Sequence, residues 1–145
     1  MNLDTVVKKL ASLAKKIERA KGPLELFGLF LRDDSPDLWD LVVAAPWLKA
    51  DERASFEFIA DELRNSLPNE ELTGLSRIVI LEHDGAVLKS FLERFSDHTG
   101  LADMHFVTEG GAIIRTAYII VARPLREGAR RRQSSKKTRR KKAAR

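Results

Sequence analysis

Ala112-Ile-Ile-Arg-Thr-Ala-Tyr-Ile-Ile-Val-Ala122 is apolar at nearly every position and bounded by turn formers, the pattern of a strand covered on both faces. A central place in a sheet is therefore expected for it. Just upstream, Asp103 to Thr108 forms a second such run, with Glu109-Gly110-Gly111 between the two. Gly-Gly between apolar runs predicts a hairpin, because both glycines accept positive φ.

Further back, Arg77 to Glu82 (Arg-Ile-Val-Ile-Leu-Glu) reads as a β-branched buried strand. Val87, Leu88, Phe91, Leu92 and Phe95 then recur at helical spacing, with Asp84 placed to cap the helix. Leu24 to Arg32 and Leu38 to Ala45 are two more strands, and the turn formers Asp33-Asp34-Ser35-Pro36-Asp37 between them predict an antiparallel hairpin. Asp51 can cap a helix through Phe58, Ile59, Leu63 and Leu67 that Pro68 closes, with Glu52, Glu57, Asp61 and Glu62 facing solvent.

At the start of the chain, Leu3, Val6, Val7, Leu10, Leu13, Ala14 and Ile17 form one helical stripe, with Lys8, Lys9, Lys15, Lys16 and Arg19 opposite. Asn2 or Asp4 caps this helix, and Lys21-Gly22-Pro23 stops it. A basic amphipathic helix suits a membrane surface or a partner helix, but its ordinary use is to pack the stripe on its own domain. The predicted order is α-β-β-α-β-α-β-β, an α+β (mixed α/β) domain with one five-stranded mixed sheet and helices packed against it. No internal repeat is visible.

The 145 residues, 43% hydrophobic and with seven Phe and two Trp, suffice for one core. Without cysteine, disulfides, thiolate zinc sites, iron-sulfur clusters and thiol nucleophiles are excluded. The longest apolar runs fall far short of the roughly 18 residues of a membrane span, so a cytoplasmic protein is expected.

Charge is unevenly distributed. Residues 1–23 carry six basic and two acidic groups, residues 24–125 nine and eighteen, and residues 126–145 eleven and one. The last segment has no large apolar side chain with which to offset ordering entropy, so a disordered tail is expected after the N-terminal helix (1–23) and the acidic body (24–125). Its Arg130, Arg131, Arg132, Lys136, Lys137, Arg139, Arg140, Lys141 and Lys142 are the candidate nucleic-acid-binding residues. Such a cluster attracts phosphate backbones by counterion release, without regard to sequence. RNA and DNA are the expected polyanions, and an anionic membrane surface or the acidic body of the same chain are the alternatives.

Motifs for catalysis fail. There is no glycine fingerprint for dinucleotides, no P-loop and no Gly-x-Ser-x-Gly elbow. Glu82-His83-Asp84 sits at a strand-to-helix turn, where α/β sheets commonly place ligands, and His83 and Asp84 are candidates there for acid-base or metal chemistry. Asp84 as a helix cap and His83 as a loop residue is the simpler account. The spacing of His83, His98 and His105 gives no support for a zinc site. Asp33, Asp34, Asp37 and Asp40 evoke carboxylates that hold a divalent metal, with Asp40 the candidate catalytic residue, although a solvated hairpin tip explains the same run. Trp39 and Trp47 have acidic neighbours and read as core or interface residues rather than base-stacking platforms.

These features predict a non-enzymatic binding or adaptor module, with no cofactor and no metal, whose acidic body contacts a protein partner or a second copy while the tail grips nucleic acid. One alternative is a metal-dependent nuclease or phosphoester hydrolase. The other is a regulatory protein whose tail rests on its own body until nucleic acid, or phosphorylation of Ser134, Ser135 or Thr138, displaces it.

Overall fold

The computed structural model describes residues 2–108 and 110–125. The tail and the nine basic residues named in it lie outside the described residues.

Helix α1 spans Leu3–Lys21 and buries Val6, Leu10, Leu13, Ala14 and Ile17. Asn2 caps it by accepting from the Thr5 N–H, and Gly22 ends it at φ 130°, where a side chain would be strained. Strands β1 (Leu26–Arg32) and β2 (Trp39–Ala44) form the expected hairpin. A short 3₁₀ helix (Pro46–Ala50) leads to α2 (Glu52–Ser66), whose first turn is capped by the Asp51 carboxylate accepting from the Ala54 N–H. One helical turn, α3 (Asn69–Leu72), precedes β3 (Leu75–Ile80). Helix α4 (Ala86–Phe95) and the hairpin of β4 (Gly100–Val107) and β5 (Ile113–Ala122) complete the body.

The sheet has five strands in the order β3-β2-β1-β5-β4, with β2 and β3 parallel and the other pairs antiparallel. Central position therefore falls to β1, flanked by β2 and β5, rather than to the β5 sequence expected there. Strand β5 is covered less completely, and its Arg115 is exposed beside Asp33. Strand β3 is also a correction: it begins two residues earlier than expected and lies half-buried at the sheet edge. The parallel crossover through α2 returns the chain alongside β2, where no further strand follows.

Helices α1 and α2 cover one face, packing against Phe27, Leu29, Leu41 and Val43. Trp39 and Trp47 pack against this cluster, and the Trp47 indole N–H donates to the Gly22 and Pro23 carbonyls. Two lysines of the basic α1 face are engaged within the fold, Lys9 by Glu71 at 2.9 Å and Lys16 by Glu62 at 2.7 Å. Glu62 therefore faces α1 rather than open solvent. Among the described residues α4 stands alone on the opposite face, its Leu88, Phe91 and Leu92 set against Leu26, Phe30, Val42, Phe106 and Ile114. Phe91 is fully buried and meets Phe30, Phe95 and Phe106 at ring-centroid distances of 5.2, 4.8 and 5.4 Å.

Candidate functional site: a cleft beside a buried Arg-Asp-Arg cluster

A helix of ten residues is about 15 Å long, too short to cover a five-stranded sheet. Among the described residues, the end of that face beyond α4 forms a cleft of about 540 Å³. Its floor is apolar, from Phe30, Val42, Val79 and Ile114, with Phe106 and Val87 at its sides and the β4–β5 turn (Thr108, Gly110, Gly111, Ala112) at its rim. That turn is held by the Thr108 side chain accepting from the Ala112 N–H, and Gly111 has positive φ, at 85°.

Arg32, Asp40 and Arg77 form the polar wall. Period-two alternation puts Asp40 on the same face as Val42 and Ala44, so its carboxylate goes into the structure and is 3% exposed. Arg77 is its direct partner across the parallel β2–β3 pair and donates from Nε to Asp40 Oδ2 at 3.3 Å. Arg32 comes from β1, two positions beyond Phe30, which is the residue opposite Asp40. Its Nε lies 3.1 Å from the same oxygen without hydrogen-bond geometry. Asp40 Oδ1 is likewise buried with no hydrogen-bond donor. An uncompensated buried carboxylate is costly, and the two guanidiniums around Asp40 offset that cost.

The aspartates at the hairpin do not converge. Asp33 pairs with Arg115 at 3.3 Å, Asp34 is 72% exposed at 3.4 Å from Arg32 Nη1, and Asp37 is exposed. The solvated-tip account thus fits Asp34 and Asp37 but not Asp40, whose oxygens face cations where a metal site would need anions. Among the described residues, no group of three or more His, Asp or Glu side chains is arranged to hold a metal ion.

The second candidate region also separates. Glu82 C=O accepts from the Gly85 N–H in a tight turn, and Gly85, not Asp84, occupies the N-cap of α4, with no side-chain cap. The turn carries the Asp84 side chain outward, to 3.5 Å from Lys49. His83 instead turns inward, with Nδ1 3.7 Å from Glu25 Oε1, in a hollow of about 330 Å³ that includes Leu88, Leu92, Pro124 and Leu125. His98 sits edge-on to Phe95, and His105 is exposed on β4.

Sequence reasoning missed Arg32 and Arg77, because no motif joins residues on three strands and Asp40 is 37 positions from Arg77. One signal was present: an aspartate on the buried parity of an apolar strand requires a cationic partner.

Fold and site together define a mixed α+β sheet domain with a charge-paired cleft on its thinly covered face. No protein-family model, curated protein or solved structure matches the chain. Among the described residues, no helix is long and apolar enough to cross a membrane.

Proposed function

We propose that the chain is a non-enzymatic binding module acting in the cytoplasm, in which residues 126–145 contact RNA or DNA without sequence preference and the acidic body provides protein contacts. The segregation of charge carries this reading. Within the body, Arg32, Lys49, Arg53, Arg64, Arg77, Arg115 and Arg123 each lie beside a carboxylate, so much of its positive charge is matched locally. Residues 126–145 instead hold eleven basic groups against one acidic group. Coulomb attraction to a polyanion is concentrated there, while the body, with twice as many acidic as basic residues, repels it.

The test replaces the nine basic residues Arg130, Arg131, Arg132, Lys136, Lys137, Arg139, Arg140, Lys141 and Lys142 by Gln in the full chain. Binding of single- and double-stranded oligonucleotides is then titrated at several salt concentrations. The reading requires affinity that falls steeply with salt in the native chain and is lost in the substituted one. Equal affinity in both would remove it.

A second reading has one observation in its favour: the body ends at Pro124 and Leu125, in the hollow shared with Glu25 and Glu93. Carboxylates beside the end of the body favour contact of the basic segment with its own body. In that case the nine-residue substitution would alter amide exchange around Glu93 and Lys89 in the absence of nucleic acid.

A further inference from the structure

We propose that the cleft beside Arg32, Asp40 and Arg77 binds a small organic acid through a single carboxylate, with an apolar body laid on the floor of the sheet. The inference is independent of nucleic-acid binding by residues 126–145.

Three observations carry it. The first is unmet hydrogen-bonding capacity in a built site. Asp40 is 3% exposed and lines the cleft, and its Oδ2 is shared by both guanidiniums. The buried Arg32 Nε makes no hydrogen bond. Arg77 spends only Nε on Asp40; its side chain is 54% exposed, and among the described residues its two Nη groups meet no carboxylate. Asp40 therefore acts as a brace that holds the Nη fork of Arg77 at one end of the cavity, with the Arg32 guanidinium, shared between Asp40 and Asp34, beside it. Such a planar, preorganised array matches a carboxylate better than a diffuse anion.

The second observation is the charge count. Arg32 and Arg77 are matched formally by the buried Asp40 and by Asp34, which is 72% exposed and screened by solvent, so the positive charge the wall offers a ligand is at most one and suits a monoanion. Asp34, 3.4 Å from Arg32 and 72% exposed, places a further carboxylate near the wall and disfavours a second negative charge on the ligand. A phosphomonoester dianion is thereby a poorer fit than a carboxylate.

The third is the remainder of the surface. Phe30, Val42, Val79, Val87, Phe106 and Ile114 supply apolar contact, and the volume of about 540 Å³ falls in the range of small-molecule sites. A polar cluster at one end of an apolar cleft fixes the orientation of an amphipathic ligand: head group on the arginines, body on the sheet.

The experiment uses the full chain labelled with ¹⁵N, titrated with benzoate, benzamide and phenyl phosphate while the Nε–Hε resonances of Arg32 and Arg77 and the amides of Thr108 and Gly111 are followed. Benzoate is expected to move these signals saturably, benzamide is not, and phenyl phosphate is expected to bind more weakly than benzoate. Arg77→Ala, at a half-exposed edge position that the fold tolerates, should weaken benzoate roughly tenfold or more, since a charged hydrogen-bonding partner is lost. Arg77→Lys should fall between the two, because it keeps the charge and loses the fork. The proposal is overturned by absence of any shift at about 10 mM benzoate, by benzamide or phenyl phosphate binding as well as benzoate, or by unchanged affinity in a folded Arg77→Ala protein.

Discussion

Asp40 and Arg77 occupy directly opposite positions on two parallel strands, with Nε and Oδ2 3.3 Å apart, and Arg32 reaches the same oxygen from the other side. The carboxylate is the common member of both pairs. Its removal leaves two guanidiniums facing each other over an apolar floor, whereas removal of the half-exposed Arg77 leaves Asp40 still paired with Arg32. Asp40→Ala is accordingly expected to cost about 3 to 5 kcal/mol in denaturant-induced unfolding, and Arg77→Ala about 1 kcal/mol or less. Equal shifts in midpoint for the two variants would refute the bracing role of the aspartate.

Gly28 marks a close approach of backbones at the centre of the sheet. A Cβ there would lie 2.8 Å from the Tyr118 carbonyl oxygen, beside the register shift between Phe27 and Gly28. Backbone cannot rotate away as a side chain can, so Gly28→Ala should destabilise by about 1 to 3 kcal/mol. Gly110→Ala, with open space around the added atom, is the control and should change the unfolding midpoint little.

Trp47 ties the end of α1 to the start of α2, its indole N–H donating to Gly22 and Pro23 at 3.1 Å each. Gly22 in turn leaves only 3.2 Å between an added Cβ and the indole, at φ 130°. Gly22→Ala should therefore lower stability by about 1 to 3 kcal/mol from backbone strain. Trp47→Phe, which keeps the apolar ring and deletes the donor, should cost about 1 kcal/mol. Thermal or urea unfolding measures both, and a neutral Gly22→Ala variant would show that the loop relaxes around it.

Replacing Ser134, Ser135 and Thr138 by Glu adds three negative charges to the segment proposed to hold nucleic acid. The expected result is weaker oligonucleotide binding and a shallower dependence on salt, as fewer counterions are released per complex. Fluorescence anisotropy at two ionic strengths reads both effects. Unchanged affinity would place the contacts elsewhere in the chain.

Hydrophobic periodicity made the element order legible, because α1, α2 and α4 each carry a stripe that had to be buried, and the strands lie between turn formers. What periodicity does not encode is which strands become neighbours. The 112–122 run was apolar enough to suggest the sheet centre, yet β1, with Gly28 admitting close backbone contact, took that place. Asp84 was a good cap by residue type, but the turn over Glu82–Gly85 moved the helix start one residue on. The candidate site was legible only at Asp40. Arg32 reaches it across the β1–β2 hairpin and Arg77 through the parallel pairing of β2 with β3, 37 positions away, which are properties of register and topology rather than of local composition.

The pairing of β1 with β5, from Leu26 opposite Ala122 to Arg32 opposite Ile114, also has a bearing on how the chain is born. As the polypeptide leaves the ribosome, β1 emerges early and finds β2 within a few residues, but its other edge stays open until nearly the whole body has been synthesised. Until then a row of unpaired backbone groups beside Phe27, Leu29 and Phe30 is available to any other extended chain. The domain closes only when its last strand inserts between β1 and β4, so nascent chains ending before residue 113 should be the species that chaperones hold and that aggregate when they are not held.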